Sequence, residues 1–198
     1  MDRKKLNRLF KRNYVLASKS ERRIKLLKQI GLKFISIDSG IQELVKDNYN
    51  PIMLVKQNAL NKSRKVALDF RKEIIIGADT VVVLNGKLLN KPANLNQAVS
   101  FLKQLRGNKH NVYTGINVID TRNGNEIFDY ERTAVHFRDI HDDEIKFYVK
   151  NYYPLDKAGA YGIQDDFGCL FIDRIIGDYY NVVGLPLLKL YRILFDIV

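Results

Sequence analysis

The chain contains very little cysteine, because Cys169 is the only one among its 198 residues. A single cysteine excludes an intramolecular disulfide and disfavours a metal site built from cysteines. A reducing cytoplasm is the location that this composition favours. Because Cys169 begins the apolar segment Cys169–Ile172, which we expect to be a strand, its thiol is predicted to be buried and unreactive.

Long hydrophobic runs are also lacking. The longest, at 74–76 and 81–84, have the length of strands, whereas a membrane span needs about 20 apolar residues. The basic N-terminus has no apolar stretch followed by a small-residue cleavage site, which argues against a signal peptide. We therefore expect no membrane partner, and we expect a frayed basic tail at 1–13 before a single domain at 14–198.

Acidic residues are few relative to basic ones: 22 Asp and Glu stand against 33 Lys and Arg, for a net charge of +11. Such a charge favours an anionic partner but does not distinguish nucleotide, nucleic acid and acidic lipid. Solvated helix faces explain it equally well. With 46% hydrophobic and 28% charged residues, the composition is that of a globular protein with a substantial core.

Apolar periodicity predicts strands and helices in alternation. Strands are expected at 14–17, 34–37, 87–89, 111–120, 126–137 and 169–172, and the stretch 74–84 is expected to hold a pair of strands interrupted by the polar residues Asp79-Thr80. Helices are expected from the 18–20 cap to Gly31, and at 51–70, 96–105, 141–149 and 186–195. Tight turns are predicted at Asn85-Gly86 and Asn123-Gly124. This order indicates an α/β fold with a mixed sheet and helices packed on it.

Three polar stretches lie beside strand ends, where side chains reach a cleft more often than a core. The first, 18–23, is a strand-to-helix junction at which backbone amides attract phosphate and arginines grip its oxygens; a capping serine with two solvated arginines is the alternative. The second holds Asp79 between two apolar runs. Its carboxylate could hold a divalent cation or deprotonate water, or it could be a structural turn aspartate.

The third stretch, 156–164, is rich in small residues, which permit a close approach of backbone to ligand, and its Gln164 presents both a donor and an acceptor to a base edge. A loop that merely turns a corner is the alternative. Lys91 and Glu43 are weaker signals, since each alone would usually be a surface residue. No Walker-type or Rossmann glycine motif is present, and the three histidines lack a metal-ligand spacing.

Taken together and in order, these stretches resemble the Maf family of nucleotide pyrophosphatases from about Tyr14 to Leu194. The segment 16–23, Leu-Ala-Ser-Lys-Ser-Glu-Arg-Arg, looks like the family's opening Leu-Ala-Ser-x-Ser-Pro-Arg-Arg. The family's central and closing patterns are resembled by 77–82, 91–92, 113–115, 156–164 and 177–186. In the first segment Glu21 replaces the usual proline, and we expect its side chain to point outward and to be tolerated.

The resemblance implies a Maf/ITPase-like fold, in which an elongated, twisted mixed sheet with flanking helices forms two lobes around a nucleotide cleft. It also implies a divalent cation, Mg²⁺ or Mn²⁺, and a homodimer. Asp79 would activate water and would bind the metal together with Glu43. Arg22, Lys62 and Lys91 would hold the triphosphate, with Arg23 and Lys157 as weaker candidates, and Lys91 is also counted among the catalytic residues. The other substrate-binding residues that the resemblance implies are Ser18, Thr80 and Gln164.

Arg22, Thr80 and Gln164 match the family branch that acts on dTTP and UTP. A second branch, which acts on 7-methyl-GTP, has an extra residue before the arginines, glutamine in place of Thr80 and no equivalent of Gln164. Threonine and glutamine side chains can read the carbonyl and N–H edge of a pyrimidine. The resemblance therefore predicts a pyrophosphatase that converts dTTP and UTP to the monophosphate and pyrophosphate, with modified pyrimidine nucleotides as further candidate substrates.

A different class of function stays open, namely a basic nucleic-acid-binding or cell-division (septum) regulatory module. Its support is the charge of +11 and the pI near 9.6, and it predicts a strongly salt-dependent affinity for DNA or RNA. No basic stretch is interleaved with aromatic residues in the manner of a single-strand platform. The sequence thus favours a nucleoside triphosphate over nucleic acid as the partner.

Overall fold

The computed structural model describes residues 3–45, 49–164 and 167–198. The helices are α1 (Arg3–Lys11), α2 (Glu21–Gln29), α3 (Pro51–Ala67), α4 (Leu95–Leu105), α5 (Asp142–Asn151), α6 (Tyr179–Val183) and α7 (Leu187–Ile197). The strands are β1 (Tyr14–Leu16), β2 (Phe34–Ser36), β3 (Ile74–Leu84), β4 (Lys87–Leu89), β5 (Lys109–Asp120), β6 (Asn125–Phe137) and β7 (Ile172–Ile176). Short 3-10 helices lie at Pro154–Asp156, Ala158–Ala160 and Phe167–Phe171.

The strands form one mixed sheet in the order β2-β1-β3-β5-β6-β7, with β4 paired to β3. β1 is parallel to β2 and β3, whereas the pairs β3–β5, β5–β6, β6–β7 and β3–β4 are antiparallel. The predicted α/β class and mixed sheet are therefore confirmed. The Asn85-Gly86 turn is where the hairpin sequence predicts it, and Asn85 has a φ of 48° there.

One edge of β3 is covered by two different strands that do not meet. β1 pairs with residues 74–76, and β4 pairs with residues 82–84, while β5 follows the opposite edge over 74–83. Among the described strands, none pairs with residues 77–81 on the first edge, and this unpaired stretch forms an opening in the sheet beside β3. Because successive side chains of a strand point to opposite faces, residues from both faces of the sheet border the opening.

Two large clusters of buried apolar residues lie on either side of the opening. The first joins α2 and α7 to the beginning of β3 and includes Leu27 and Ile76. The second joins α4 and α5 to the end of β3 and includes Leu102 and Tyr148. The opening in β3 is therefore bordered by two separately packed parts of the core.

Helix α3 lies close against β3 and β5 because glycines stand at the contacts. A Cβ atom on Gly77 would collide with the backbone oxygen of Ala59 and lie 2.9 Å from the backbone nitrogen of Ser63. A Cβ atom on Gly115 would lie 2.8 Å from the oxygen of Val55. Only glycine permits so close an approach of helix to strand.

We expect Gly77→Ala to lower the free energy of unfolding by about 1–3 kcal/mol, the usual cost of overpacking a well-packed site. The nearest atoms are helix backbone, so α3 itself has to move. Chemical denaturation of the variant checks this. Gly162→Ala is the matched control, because its nearest neighbour is the flexible end of the Lys157 side chain at 3.3 Å. Equal unfolding midpoints for the two variants would contradict the expectation.

The N-terminal segment differs from the frayed tail expected at 1–13, because residues 3–11 form α1. Leu9 is buried in the first cluster, and the Tyr14 hydroxyl donates to its carbonyl at 2.7 Å. Arg12 then makes a two-bonded contact with Asp120, at 2.9 and 2.7 Å. The sequence pattern did not indicate this helix, because most of its side chains are polar and its single buried residue, Leu9, gives no apolar periodicity.

The prediction for Cys169 is wrong. Residues 167–171 form a 3-10 helix instead of a strand, β7 begins at Ile172, and Cys169 is exposed. Gly168 and Phe171 are the buried residues of this helix, at the spacing of three that a 3-10 helix brings to one side.

Helix α6 was also not predicted. The stretch 74–84, expected to be two strands interrupted at Asp79-Thr80, is the single strand β3, because β5 pairs with it without a break over 74–83. The remaining predicted elements are present, with ends displaced by at most three residues.

Candidate functional site

The opening in β3 leads into a cleft of about 730 Å³. The structure brings together in its lining every residue that the sequence singled out as catalytic or substrate-binding: Ser18, Arg22, Arg23, Glu43, Lys62, Asp79, Thr80, Lys91, Lys157 and Gln164. Among the described residues, seven lysines and arginines and five aspartates and glutamates line it. The excess of positive charge favours an anionic ligand.

Asp79 lies inside β3 with only 5% of its side chain exposed. Lys62 Nζ donates to Asp79 Oδ1 at 2.8 Å, and Asn58 Nδ2 donates to Asp79 Oδ2 at 2.9 Å. Both donors come from α3, on one face of the sheet. This position excludes the alternative of a turn aspartate that bonds backbone amides.

Lys62 joins two carboxylates. Its Nζ also donates to Glu43 Oε1 at 2.6 Å and to the carbonyl of Ala78 at 3.3 Å, and the side chain is almost fully buried. Glu43 Oε2 lies 3.9 Å from Lys91 Nζ. Burial acts to raise the pKa of Glu43, but the charge and hydrogen bond of Lys62 outweigh it and hold that pKa below its usual range. Glu43 is therefore ionised at neutral pH.

Asn58 is a site residue that the sequence interpretation missed. Its Oδ1 accepts from the backbone N–H of Leu44 at 2.8 Å, and its Nδ2 donates to the Leu44 carbonyl at 3.1 Å. Glu43 lies in a loop next to Leu44, and Asn58 therefore attaches this loop to α3. Through its bond to Asp79, Asn58 also connects the loop with β3. A signal was available, since Asn58 and Lys62 are four residues apart and hence on one helix face, a face whose other buried residues are apolar apart from Ser63.

Arg23 and Thr80 lie on the other face of the sheet. The Arg23 guanidinium donates to Gly184 O at 2.9 Å through Nε, to Ser18 Oγ at 3.3 Å and to Thr80 Oγ1 at 3.0 Å. Burial lowers the pKa of Arg23, and the charges of Asp79 and Glu43 act in the opposite direction. Because its nitrogens already bond protein atoms, the structure favours Arg23 as part of the cleft wall.

Arg22 and Lys157 share the carboxylate of Asp156, which the sequence interpretation did not assign to the site. Arg22 Nη1 donates to Asp156 Oδ2 at 2.8 Å, and Lys157 Nζ donates to Asp156 Oδ1 at 3.0 Å and to Tyr153 O at 2.7 Å. The contact connects α2 with the 3-10 helix Pro154–Asp156 on the other side of the cleft. Glu21, expected to point outward, is exposed and lines the cleft.

The carboxylates of Asp79 and Glu43 fit a divalent cation whose remaining coordination positions are filled by a substrate. Within the described ranges, no group of three or more His, Cys, Asp or Glu residues could hold a metal ion. Asp79 and Glu43 nevertheless meet at one ammonium in an oxygen-rich cleft. Mg²⁺ is usually held by one or two carboxylates together with phosphate oxygens of a substrate, and this pair supplies such a donor set.

A comparison with protein families decides the affiliation: the family model described as "Maf-like protein" matches residues 13–197. The chain belongs to the Maf family. The resemblance drawn from the short motifs is therefore confirmed over almost the whole chain.

Several curated relatives of this Maf chain bear the name dTTP/UTP pyrophosphatase. The protein of Dictyoglomus thermophilum is 44% identical over 93% of this chain and 95% of its own. The proteins of Clostridium novyi and Thermosipho melanesiensis are 47% and 43% identical, each over 92% of this chain and 96% of its own. Among solved structures, the Staphylococcus aureus Ham1 protein is 18% identical, with a TM-score of 0.45 over 64% of this chain and 72% of that one.

None of the helices in the described segments of this Maf chain is long and apolar enough to cross a membrane. The longest, α3, has 17 residues and carries polar and charged side chains.

His110 supports the wall of the cleft from inside the second cluster. Its Nε2 lies 2.7 Å from the hydroxyl of Tyr161, which lines the cleft. Burial, with a smaller contribution from His136, lowers the pKa of His110 to about 3. The imidazole is therefore neutral in the folded protein, as expected of a structural histidine.

We expect this histidine to make folding sensitive to acid. The unfolded state binds a proton at His110 below about pH 6.5, whereas the folded state does so only near pH 3. As the pH is lowered from about 6.5 to about 3, the free energy of unfolding should therefore fall by about 1.4 kcal/mol per pH unit. Denaturation of the wild type and of His110→Gln at several pH values measures the difference between their free energies of unfolding. The titration of the carboxylates is common to both proteins and cancels in this difference. Parallel curves would contradict the prediction.

Proposed function

We propose that this chain hydrolyses dTTP and UTP to the nucleoside monophosphate and pyrophosphate with the help of a divalent cation. The observation that carries the proposal is the pairing of Asp79 and Glu43 around Lys62 in a cleft with an excess of positive charge. The relatives named dTTP/UTP pyrophosphatase, 43–47% identical, support the choice of substrate.

Asp79 would accept the proton of the attacking water. Its two oxygens are oriented by Lys62 and Asn58, so the carboxylate needs no rearrangement to act as a general base. Water would attack the α-phosphorus, the bond from that phosphorus to the bridging oxygen would break, and pyrophosphate would leave. Hydrolysis at this bond accounts for both products.

The triphosphate brings roughly four negative charges near neutral pH, which cationic groups have to neutralise before a nucleophile can approach. Arg22, Lys91 and Lys157 line the cleft and would bind its oxygens, beside Ser18 at the start of α2. Glu43 and Asp79 would hold Mg²⁺ or Mn²⁺, which when bound screens phosphate charge and lowers the pKa of water. Lys62 holds the two carboxylates together.

Thr80 and Gln164 would contact the pyrimidine base. Both line the cleft, and their side chains offer the polar groups that a base edge requires.

Two further proposals rest on the family resemblance and the single cysteine: a homodimer, which light scattering of the purified protein tests, and a cytoplasmic location.

Pyrophosphate release from dTTP, UTP, CTP, GTP and 7-methyl-GTP tests the proposal, with Mg²⁺, Mn²⁺ or a chelator in parallel reactions. We expect metal-dependent turnover of dTTP and UTP and little of the purine nucleotides. If folded protein released no pyrophosphate from any of these nucleotides, the proposal would be contradicted. Salt-dependent binding of DNA or RNA would then favour the nucleic-acid-binding alternative.

A further inference from the structure

A chain of hydrogen bonds leads from the cleft into the sheet through Thr80. Arg23 Nη2 donates to Thr80 Oγ1 at 3.0 Å, and Thr80 Oγ1 lies 2.9 Å from Thr114 Oγ1. Thr114 Oγ1 in turn donates to the backbone carbonyl of Asn181 at 3.2 Å. Thr80 and Thr114 are direct partners across β3 and β5, and Thr114 is fully buried.

The hydrogens of this chain can be assigned because each hydroxyl has one hydrogen and two lone pairs. The Asn181 carbonyl can only accept, so its bond uses the hydrogen of Thr114. The short contact between the two hydroxyls then uses the hydrogen of Thr80. Arg23 occupies one lone pair of Thr80 Oγ1, since a guanidinium only donates, and one lone pair remains for a ligand.

The other assignment is less favourable. If Thr114 donated to Thr80, the hydrogen of Thr80 would turn to Gly184 O at 3.4 Å, a long bond to an oxygen that already accepts from Arg23. That arrangement would also occupy both lone pairs of Thr80 Oγ1, one with Arg23 and one with Thr114, and it would take from the Asn181 carbonyl the bond that Thr114 donates. The first arrangement satisfies more of these buried groups, and in it Thr80 has no hydrogen to donate to a ligand in the cleft and one lone pair left to accept.

From this arrangement we infer that Arg23 and Thr114 fix Thr80 as a hydrogen-bond acceptor, which selects pyrimidines with a ring N–H. The inference rests on the proposed function and adds two positioning residues to it. Uracil and thymine carry a hydrogen on N3, whereas cytosine presents a lone pair there. A lone pair that faces another lone pair leaves both without a hydrogen, which is how a hydrogen-bonding site rejects an analogue.

The test compares kcat/KM for UTP, CTP and 3-methyl-UTP, whose methyl group replaces the hydrogen on N3. We expect the wild type to favour UTP over each of the other two by at least about tenfold. In Thr114→Val the hydrogen of Thr80 loses its short acceptor and keeps only the long contact to Gly184 O at 3.4 Å inside the protein. It can then turn towards a base in the cleft, so the preference for UTP over CTP should fall by about tenfold. Thr114→Ser keeps the hydroxyl and should restore the wild-type preference.

Two controls separate selection from a loosened fold. The inhibition constant of tripolyphosphate, which has no base, should be the same in the wild type and in Thr114→Val. Thr133→Val removes another fully buried hydroxyl, which bonds Asp178 and Asn181, and it should not change base preference. An equal change in Thr133→Val, or an unchanged preference in Thr114→Val, would overturn the inference.

The same assays distinguish this inference from the proposed function. If UTP is not hydrolysed at all, the proposed function itself fails. If UTP is hydrolysed and 3-methyl-UTP or CTP is hydrolysed equally well by the wild type, the pyrophosphatase function stands and the selection by Thr80 fails. A tenfold or greater preference for UTP that falls in Thr114→Val and returns in Thr114→Ser supports the inference.

Discussion

Asp79→Asn should lower kcat for pyrophosphate release from dTTP by about 10³-fold, in the middle of the range of about 10²–10⁴-fold that general-base catalysis contributes. Asparagine has the same shape, but it cannot take a proton from water. It also leaves Lys62 with Glu43 as its single carboxylate partner. Steady-state kinetics with dTTP and Mg²⁺ measures the loss, and a thermal melt shows whether the variant is folded.

Asp120→Asn is the matched control for this experiment. Taken as whole residues, Asp120 and Asp79 are each 3% exposed, and Arg12 bonds Asp120 at the end of β5. We expect the control to lose stability and to keep its activity per folded molecule. If Asp79→Asn retained more than a tenth of the wild-type kcat, another group would have to be the proton acceptor.

Lys62→Met should lower kcat/KM for dTTP by at least about a hundredfold, a loss comparable to that of one preorganised donor in other active sites. Methionine keeps most of the buried side-chain volume but removes the ammonium that lies 2.6 Å from Glu43 and 2.8 Å from Asp79. The two carboxylates then repel each other, and the loop that carries Glu43 loses a contact.

Lys65→Met, in the last turn of the same helix, is the control for Lys62→Met because Lys65 is exposed. We expect its kinetics to match those of the wild type, since an exposed lysine there affects only the general surface charge. A value of kcat/KM in Lys62→Met within threefold of that of Lys65→Met would contradict the role assigned to Lys62.

The elements of the sheet were predictable because their signals are local. The apolar run of β3, the Asn85-Gly86 turn and the cap before α2 each specify a conformation within a few residues. Helix α1 and the 3-10 helix that contains Cys169 were not predictable in this way. Their burial depends on single residues, Leu9 and Phe171, whose partners lie far away in the sequence.

The candidate site was predictable where its residues stand in short motifs with a chemical reason for each residue type. Asn58 and Asp156 were missed for a different reason. An asparagine inside a helix and an aspartate before a glycine-rich loop are ordinary residues in their local context. Their importance comes from Asp79 and Arg22, each of which comes from another part of the chain.

The sequence by itself determined the α/β class, the family and the residue types of the cleft, because patterning and motif chemistry are properties of neighbouring residues. Only the tertiary structure decided that β1 ends and β4 begins on the same edge of β3. That gap lets Asp79 and Thr80, which point to opposite faces, border one cleft. Such an arrangement depends on the pairing of distant strands, for which a linear pattern contains no distance.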